Sequence, residues 1–343
     1  MYKGYVVDAA LVESDIHISQ GCVTCHSGDE GAATREKAHI GLVKRPSDDT
    51  ELCGTCHTDI AANYSKSLHF TNAGMKNGVR PRLSATDITA FDSKVFTQAC
   101  NSCHASCGDC HVKSPTVSGI STGLIKGHLF IRKDDAKTCA VCHNGRVYPE
   151  FTGEYGGNAD VHYQKGMTCT DCHKPAELHG PEAAVAGRKD LAEKPSCIGC
   201  HKPDAAKTDA AKTAHATHGD KASCSACHSS SEYRNCYDCH LGAGSTSAPG
   251  LILGRSPRRP GQLTTLRHIP NIRDTFAIAG VRQENYDSLP NYWDAVPHNT
   301  KKRSDRTRDC ATCHSSQTHF LKEADLPAGG SEANKKLIFK FDK

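Results

Sequence analysis

The chain has 343 residues, of which 37% are hydrophobic and 6% aromatic, with a formal charge of +4 and twenty cysteines. Its length would ordinarily make one large or two medium domains, yet so polar a chain has little side-chain surface to bury. No run approaches the roughly 18 apolar residues of a membrane span, and MYKGYVVDAALV, with an acidic residue and no apolar core, does not read as a signal peptide.

Residues 3–12, KGYVVDAALV, are β-branched enough to predict a short strand. His17 then precedes the first copy of a five-residue motif, C-x-x-C-H, formed by Cys22, Cys25 and His26. His39 and the polar loop KRPSDDT lead to the second, Cys53, Cys56 and His57. The gap 58–99 holds His69 and TNAGMKNGVRPR, whose Gly and Asn content predicts a loop. Two copies then stand almost back to back in CNSCHASCGDCH: Cys100, Cys103 and His104, followed by Cys107, Cys110 and His111. Past His128 come Cys139, Cys142 and His143; past His162 come Cys169, Cys172 and His173. His179 leads to Cys197, Cys200 and His201, and the pair His215 and His218 leads to Cys224, Cys227 and His228. Cys236, Cys239 and His240 follow at once. Segments 181–194 and 203–217, rich in Ala, Lys, Asp and Glu, predict short exposed helices. A motif-free stretch, 241–309, opens on Gly, Ser and Pro, reads as a long loop region, and carries His268 and His298. Cys310, Cys313 and His314 make the last copy, ahead of His319 and a tail, 320–343, that contains KKLIFKFDK. Nothing repeats beyond the motif itself, which argues against a solenoid.

C-x-x-C-H is the attachment signature of haem c. The two thiols add across porphyrin vinyl groups, and the adjacent His reaches the iron as its proximal ligand. Ten copies use all twenty cysteines and leave none for a disulfide or a nucleophile. Structural zinc sites and redox dithiols also use C-x-x-C, but neither has reason to follow each one with His. With His at roughly 6% of residues, ten chance successes in ten are on the order of one in 10^12. Ten covalent haem c groups are therefore expected, at roughly 34 residues each, too few for ten conventional cores. The expected fold is haem-templated and mostly irregular, with short α-helices, few short strands and little conventional core, in a single unit over 1–343. With their propionates ionised, ten such haems shift the charge to about −6, so no nucleic-acid partner is indicated. The basic runs RSPRRP (255–260) and KKRSDRTR (301–308) are expected to be solvated faces, or else to pair with propionates.

The second axial ligand separates a wire from an enzyme, because an iron with two axial His has no open position. Only Met1, Met75 and Met167 compete with histidine for that role. Ten of the 21 His are proximal: His26, His57, His104, His111, His143, His173, His201, His228, His240 and His314. Eleven remain for ten vacancies, and the candidate distal ligands are His17, His39, His69, His128, His162, His179, His218, His268, His298 and His319, with His215 set aside as the spare.

Ten such motifs with a matching supply of His resemble the multihaem c-type cytochromes of metal-reducing and syntrophic microbes. NSCHASCGDCH with GLIKGHLF, and GMTCTDCHKPAELHG, are similar to segments of extracellular cytochromes, including those that polymerise into conductive filaments. The resemblance implies stacked haems and an axial His shared between subunits. HIPNIRDTF, VPHNTKKR and CATCH resemble the C-terminal parts of octahaem enzymes related to hydroxylamine oxidoreductase and tetrathionate reductase. This chain departs from enzymes of that kind in having ten sites and His at every proximal position. The C-x-x-C-K motif of pentahaem nitrite reductases is absent.

The expectation is an electron carrier rather than an enzyme. It is exported, since haem c is attached outside the cytoplasm, and is expected to be extracellular or at the cell surface, with the periplasm as the alternative. Its expected partners are copies of itself in a head-to-tail filament, other cytochromes and extracellular electron acceptors. KGYVVDAALV and KKLIFKF could add strands across subunits, or dock within their own. The alternatives are a discrete periplasmic or porin-sheathed decahaem conduit, and a multihaem reductase of nitrogen or sulfur oxyanions.

Overall fold

A computed structural model of the chain describes residues 9–113, 116–117, 120–121, 129–130, 136–154, 158–232 and 250–340. The chain gathers into two compact units. The first comprises Met1–Ala73, Cys103–Thr138 and His173–Glu193; the second comprises Gly74–Ser102, Cys139–Cys172 and Lys194–Lys343.

The first unit is built from single helical turns. Arg35–Ala38, Thr50–Gly54 and Leu68–Thr71 each start where a polar side chain (Thr34, Asp49, Ser67) accepts a backbone N–H of the first turn. Leu68–Thr71 stops at Asn72, whose φ of 49° is left-handed. Two short antiparallel pairs accompany them: β1 (Val112–Lys113) with β4 (Leu129–Phe130), and β2 (Thr116–Val117) with β3 (Ile120–Ser121). The strand predicted over 3–12 is not found where it can be seen: Ala9–Ser14 is an α-helix, in keeping with its leading alanines, and residues 3–8 lie outside the described residues. Nor is 181–194 helical; Gly187 interrupts its Ala and Lys residues.

The second unit holds a three-stranded antiparallel sheet in the order β5 (Ile252–Arg255), β6 (Leu263–His268), β7 (Tyr292–Asp294). Leu253 stands opposite Thr265, and Arg267 opposite Trp293. Alternation along the strands sends side chains to two faces. One face packs Leu266 and Tyr292 with Leu321 and Leu337; the other packs Leu253 with Ala226 and Phe320. Gly254 makes this possible, since a Cβ there would lie 2.8 Å from the Leu337 carbonyl. Part of the predicted loop region is thus sheet, because Leu253 and Leu266 are buried on its opposite faces while the Pro-rich RSPRRP turns the hairpin. The apolar residues of the tail, through Phe339, dock on the sheet of their own unit.

TNAGMKNGVRPR also departs from its predicted loop. Ala73–Val79 is helical and Arg80–Arg82 a 3-10 turn. Lys76 pairs with Asp92 and Val79 packs on the cluster of Leu83, Phe91, Phe96 and Val281, so tertiary contacts outweigh its glycines. Residues 203–217 follow expectation, with a 3-10 turn Pro203–Ala205 and a helix Asp209–His218.

The basic runs are not simply solvated. Arg306 is buried and donates to the Leu251 carbonyl (2.6 Å) and the hydroxyls of Ser229 and Thr265. Arg258 stacks over Trp293 at 4.6 Å. Among the described residues, no helix is long and apolar enough to cross a membrane.

Candidate metal centres

Nearly every described motif is wound into a helical turn, among them Cys22–His26, Cys107–His111, Ala136–His143 and Cys224–His228, with 3-10 turns at Cys100–Cys103 and Cys197–Gly199. A turn places positions i, i+3 and i+4 on one face, so both cysteines and the histidine point the same way. At least one cysteine of each described motif is exposed and open to attachment chemistry. Cys236, Cys239, His240 and His128 lie outside the described residues.

Neighbours in space are not neighbours in the chain. The Cys107 motif packs against the Cys53 motif: their thiols share a hydrogen bond, Ser47 and Ser106 hydroxyls lie 3.0 Å apart, and Arg45 pairs with Asp109 at 3.2 Å. Gly108 lets Ser47 approach; a Cβ would collide with it. Tyr64 fixes the link between the tandem motifs by donating to the Ala105 carbonyl at 2.6 Å. In the second unit the thiols of Cys197 and Cys224 likewise share a hydrogen bond.

Opposite the motif histidines stand other histidines. Ring centroids are 6.1 Å apart for His17 and His57, 5.9 Å for His111 and His179, and 5.9 Å for His162 and His201. They are 6.0 Å apart for His215 and His228 and for His218 and His314. His69 is close enough to His173 for each to feel the other's charge, and burial with that neighbour holds its imidazole below the ordinary range. In these pairs the distal His often lies beside one motif and faces another: His17 precedes Cys22 but faces His57, and His162 precedes Cys169 but faces His201.

The remaining candidates are placed as follows. His26 donates through Nδ1 to the Val43 carbonyl and His39 to that of Arg35, both at 2.7 Å. His104 donates to the Phe70 carbonyl at 2.6 Å. The backbone N–H of His298 donates to Glu150, which also pairs with Arg146, in the turn just past His143. His319 lies 3.8 Å from Asp305. His268 is buried against Tyr292, and burial pushes its imidazole down to about 4, so the ring is neutral.

These residues fit haem c. A metal–imidazole bond is about 2 Å long, and two in line put ring centroids roughly 6 Å apart. The Nδ1 atoms of His162, His173, His215, His218 and His228 lie at an oxygen acceptor, between 2.8 and 3.1 Å away, which leaves Nε2 with its lone pair for a metal. Among the described residues the donors come in twos, and no group of three His, Cys, Asp or Glu side chains gathers into a protein-only metal cage. Large apolar side chains stand exposed at the motifs and their partners: Ile16 beside His17, Ile40 beside His39, and Val141 and Ile198 within C-x-x-C. Those are the surfaces a porphyrin face would cover.

Two features escape the sequence reading. His215, set aside there, faces His228, while His218, three residues on along the same helix, faces His314, so the two reach different motifs. The second is a short repeat, Asp-Ile/Val-His-x-x-x-Gly, at 15–21 and 160–166. In both copies the Asp accepts from the backbone and the ring of the His, and a 3-10 turn ends at a left-handed Gly21 or Gly166. Aligning the segments ahead of Cys22 and Cys169 would have revealed it.

Residues 156–229 match the family described as cytochrome c7 and related cytochrome c. No curated protein and no solved structure matches the chain. The matched segment contains the motifs at Cys169, Cys197 and Cys224 and four of the facing histidines, His162, His179, His215 and His218. Over that segment, about a fifth of the chain, the donor set agrees with what the family description names.

Proposed function

We propose that the protein carries electrons through ten haem c sites, each held between a motif histidine and a second histidine. The observation that carries this reading is the recurrence of facing His rings at 5.9–6.1 Å. Bound haem c supplies a reversible one-electron couple. The residues do the rest: the cysteines would tether the group, the paired imidazoles would hold its iron, and the packing of one motif on another brings neighbouring sites together. An iron held by two histidines would have no open position, which favours a carrier over a reductase. Haem c is attached outside the cytoplasm, which supports an exported protein, extracellular or at the cell surface, with the periplasm as the alternative.

A head-to-tail filament is the polymeric form of this reading. It rests on the resemblance of segments 101–111, 123–130 and 166–180, while Leu337, Ile338 and Phe339 of the tail that the sequence offers for subunit contact pack within their own unit. Mass spectrometry and electron paramagnetic resonance of the assembled protein test the carrier: ten haem adducts and only low-spin ferric signals are expected. A stoichiometric high-spin signal would overturn it in favour of a reductase. Electron microscopy of the same sample separates filaments from discrete particles.

A further inference from the structure

We infer that Asp160 is a positioning residue that fixes the ring of His162 and holds the site between His162 and His201 at a lower potential than its neighbour between His215 and His228. The inference rests on the paired-histidine reading above. One Asp160 oxygen accepts from both the backbone N–H and the ring Nδ1–H of His162, each at 2.8 Å. The other accepts from the Thr300 N–H at 2.6 Å. The carboxylate is 3% exposed. Its charge is therefore little screened by water, and three charge-assisted bonds leave it one orientation. A carboxylate on Nδ1–H makes the opposite nitrogen a stronger donor, and a stronger donor favours ferric over ferrous iron. Lys301, whose ammonium binds the Asn158 and Ala159 carbonyls, is the cation facing Asp160 and offsets part of its charge.

The neighbouring site has the opposite surroundings. His215 donates to the Pro203 carbonyl at 3.0 Å and His228 to the Lys301 carbonyl at 3.1 Å, both neutral acceptors. Buried Arg306 places its fixed positive charge toward the Cys227 and Cys313 thiols. The two sites adjoin, since the Cys197 and Cys224 thiols touch. Asp15 offers a natural control: it repeats the same turn on His17, but at 3.2 Å and with 20% of its side chain exposed, where water weakens the effect.

The test is redox potentiometry of the fully haem-loaded protein, followed by electron paramagnetic resonance. Asp160→Asn is expected to raise the midpoint of one haem and leave the others unmoved. Asp160→Glu keeps the charge and should keep that midpoint low, and Asp15→Asn should produce a smaller rise. His162→Met separately tests the underlying reading, because it must remove one bis-His signal. If it removes none, the pairing of His162 fails. If it does remove one, yet Asp160→Asn retains all haems and shifts no potential, Asp160 has no such role. Should Asn cost the haem its place, Glu carries the test, and a midpoint that rises with Glu overturns the inference.

Discussion

The two units are stabilised differently. Among the described residues the first unit buries only Ala61, Tyr64 and Leu191 as apolar side chains, although the complete motifs at Cys22, Cys53 and Cys107 belong to it. The second unit buries three clusters: Phe91, Phe96 and Val281 in one place, Leu266, Tyr292 and Leu337 on one face of β5–β7, and Leu253 and Phe320 on the other. The three strands of that core come from the motif-free stretch 241–309, although its clusters also take in Ala226 of the Cys224 motif and touch Cys100 and Cys313. Where motifs crowd, apolar area has to come from the cofactor.

The largest expected effect breaks this comparison most directly. In haem-free chain, hydrogen exchange should show no protection over Cys22–Tyr64 and Cys107–His111, while amides of β5, β6 and β7 stay protected. Helices of four to seven residues cannot persist alone, whereas the sheet has a packed face on each side. Uniform loss of protection across both would mean that the sheet too is templated by haem.

Leu266→Ala sharpens the same contrast from the other side. Leu266 is fully buried against Tyr292, Leu321 and Leu337, and truncation should cost about 2–5 kcal/mol. Thermal unfolding of the second unit should fall in both haem-loaded and haem-free protein, with the low-spin spectrum unchanged before melting. Tyr64→Phe is its smaller counterpart in the first unit. It removes the hydrogen bond to the Ala105 carbonyl, at about 1 kcal/mol, and the loss should be measurable only in haem-loaded protein. An equal effect on haem-free chain would show that the first unit has a fold of its own.

The motif and its proximal histidine were legible in the sequence because the chemistry needs those residues at that spacing. Which distal histidine faces which motif was not. His215 and His218 look redundant as letters and become distinct only in the folded chain, where one faces His228 and the other His314. The sheet was hidden for a different reason. RSPRRP and GQ drew attention to the turn, while the paired residues, Ile252 to Arg255 with Leu263 to Leu266, form a register only once folded back on each other. Arg82 and Arg306 were invisible as interior residues, since a buried guanidinium depends on carbonyls brought from far along the chain: Tyr286 and Pro290 for one, Leu251 for the other.

The smallest effect concerns how the second unit holds its Gly-rich helix, Ala73–Val79. Asp92 receives Arg80 and, at 3.2 Å, Lys76, and the Arg80 guanidinium, with Lys76 behind it, holds its carboxyl below the ordinary range against the opposing effect of burial. A carboxyl with a depressed folded pKa contributes stability at pH values above its unfolded pKa, and loses it as the pH falls through the lower folded value. The contribution of a partly exposed pair is about 1 kcal/mol or less. Asp92→Asn should therefore lower the melting temperature slightly and by a constant amount from neutral pH down to the ordinary carboxylate range. Below that range the parent loses the ion pair as well, and the gap between parent and variant should close. A gap that persists into strong acid would mean that Asp92 acts through packing or helix geometry rather than through its charge, and the glycines of Ala73–Val79 would then be held by Val79 and its apolar neighbours alone.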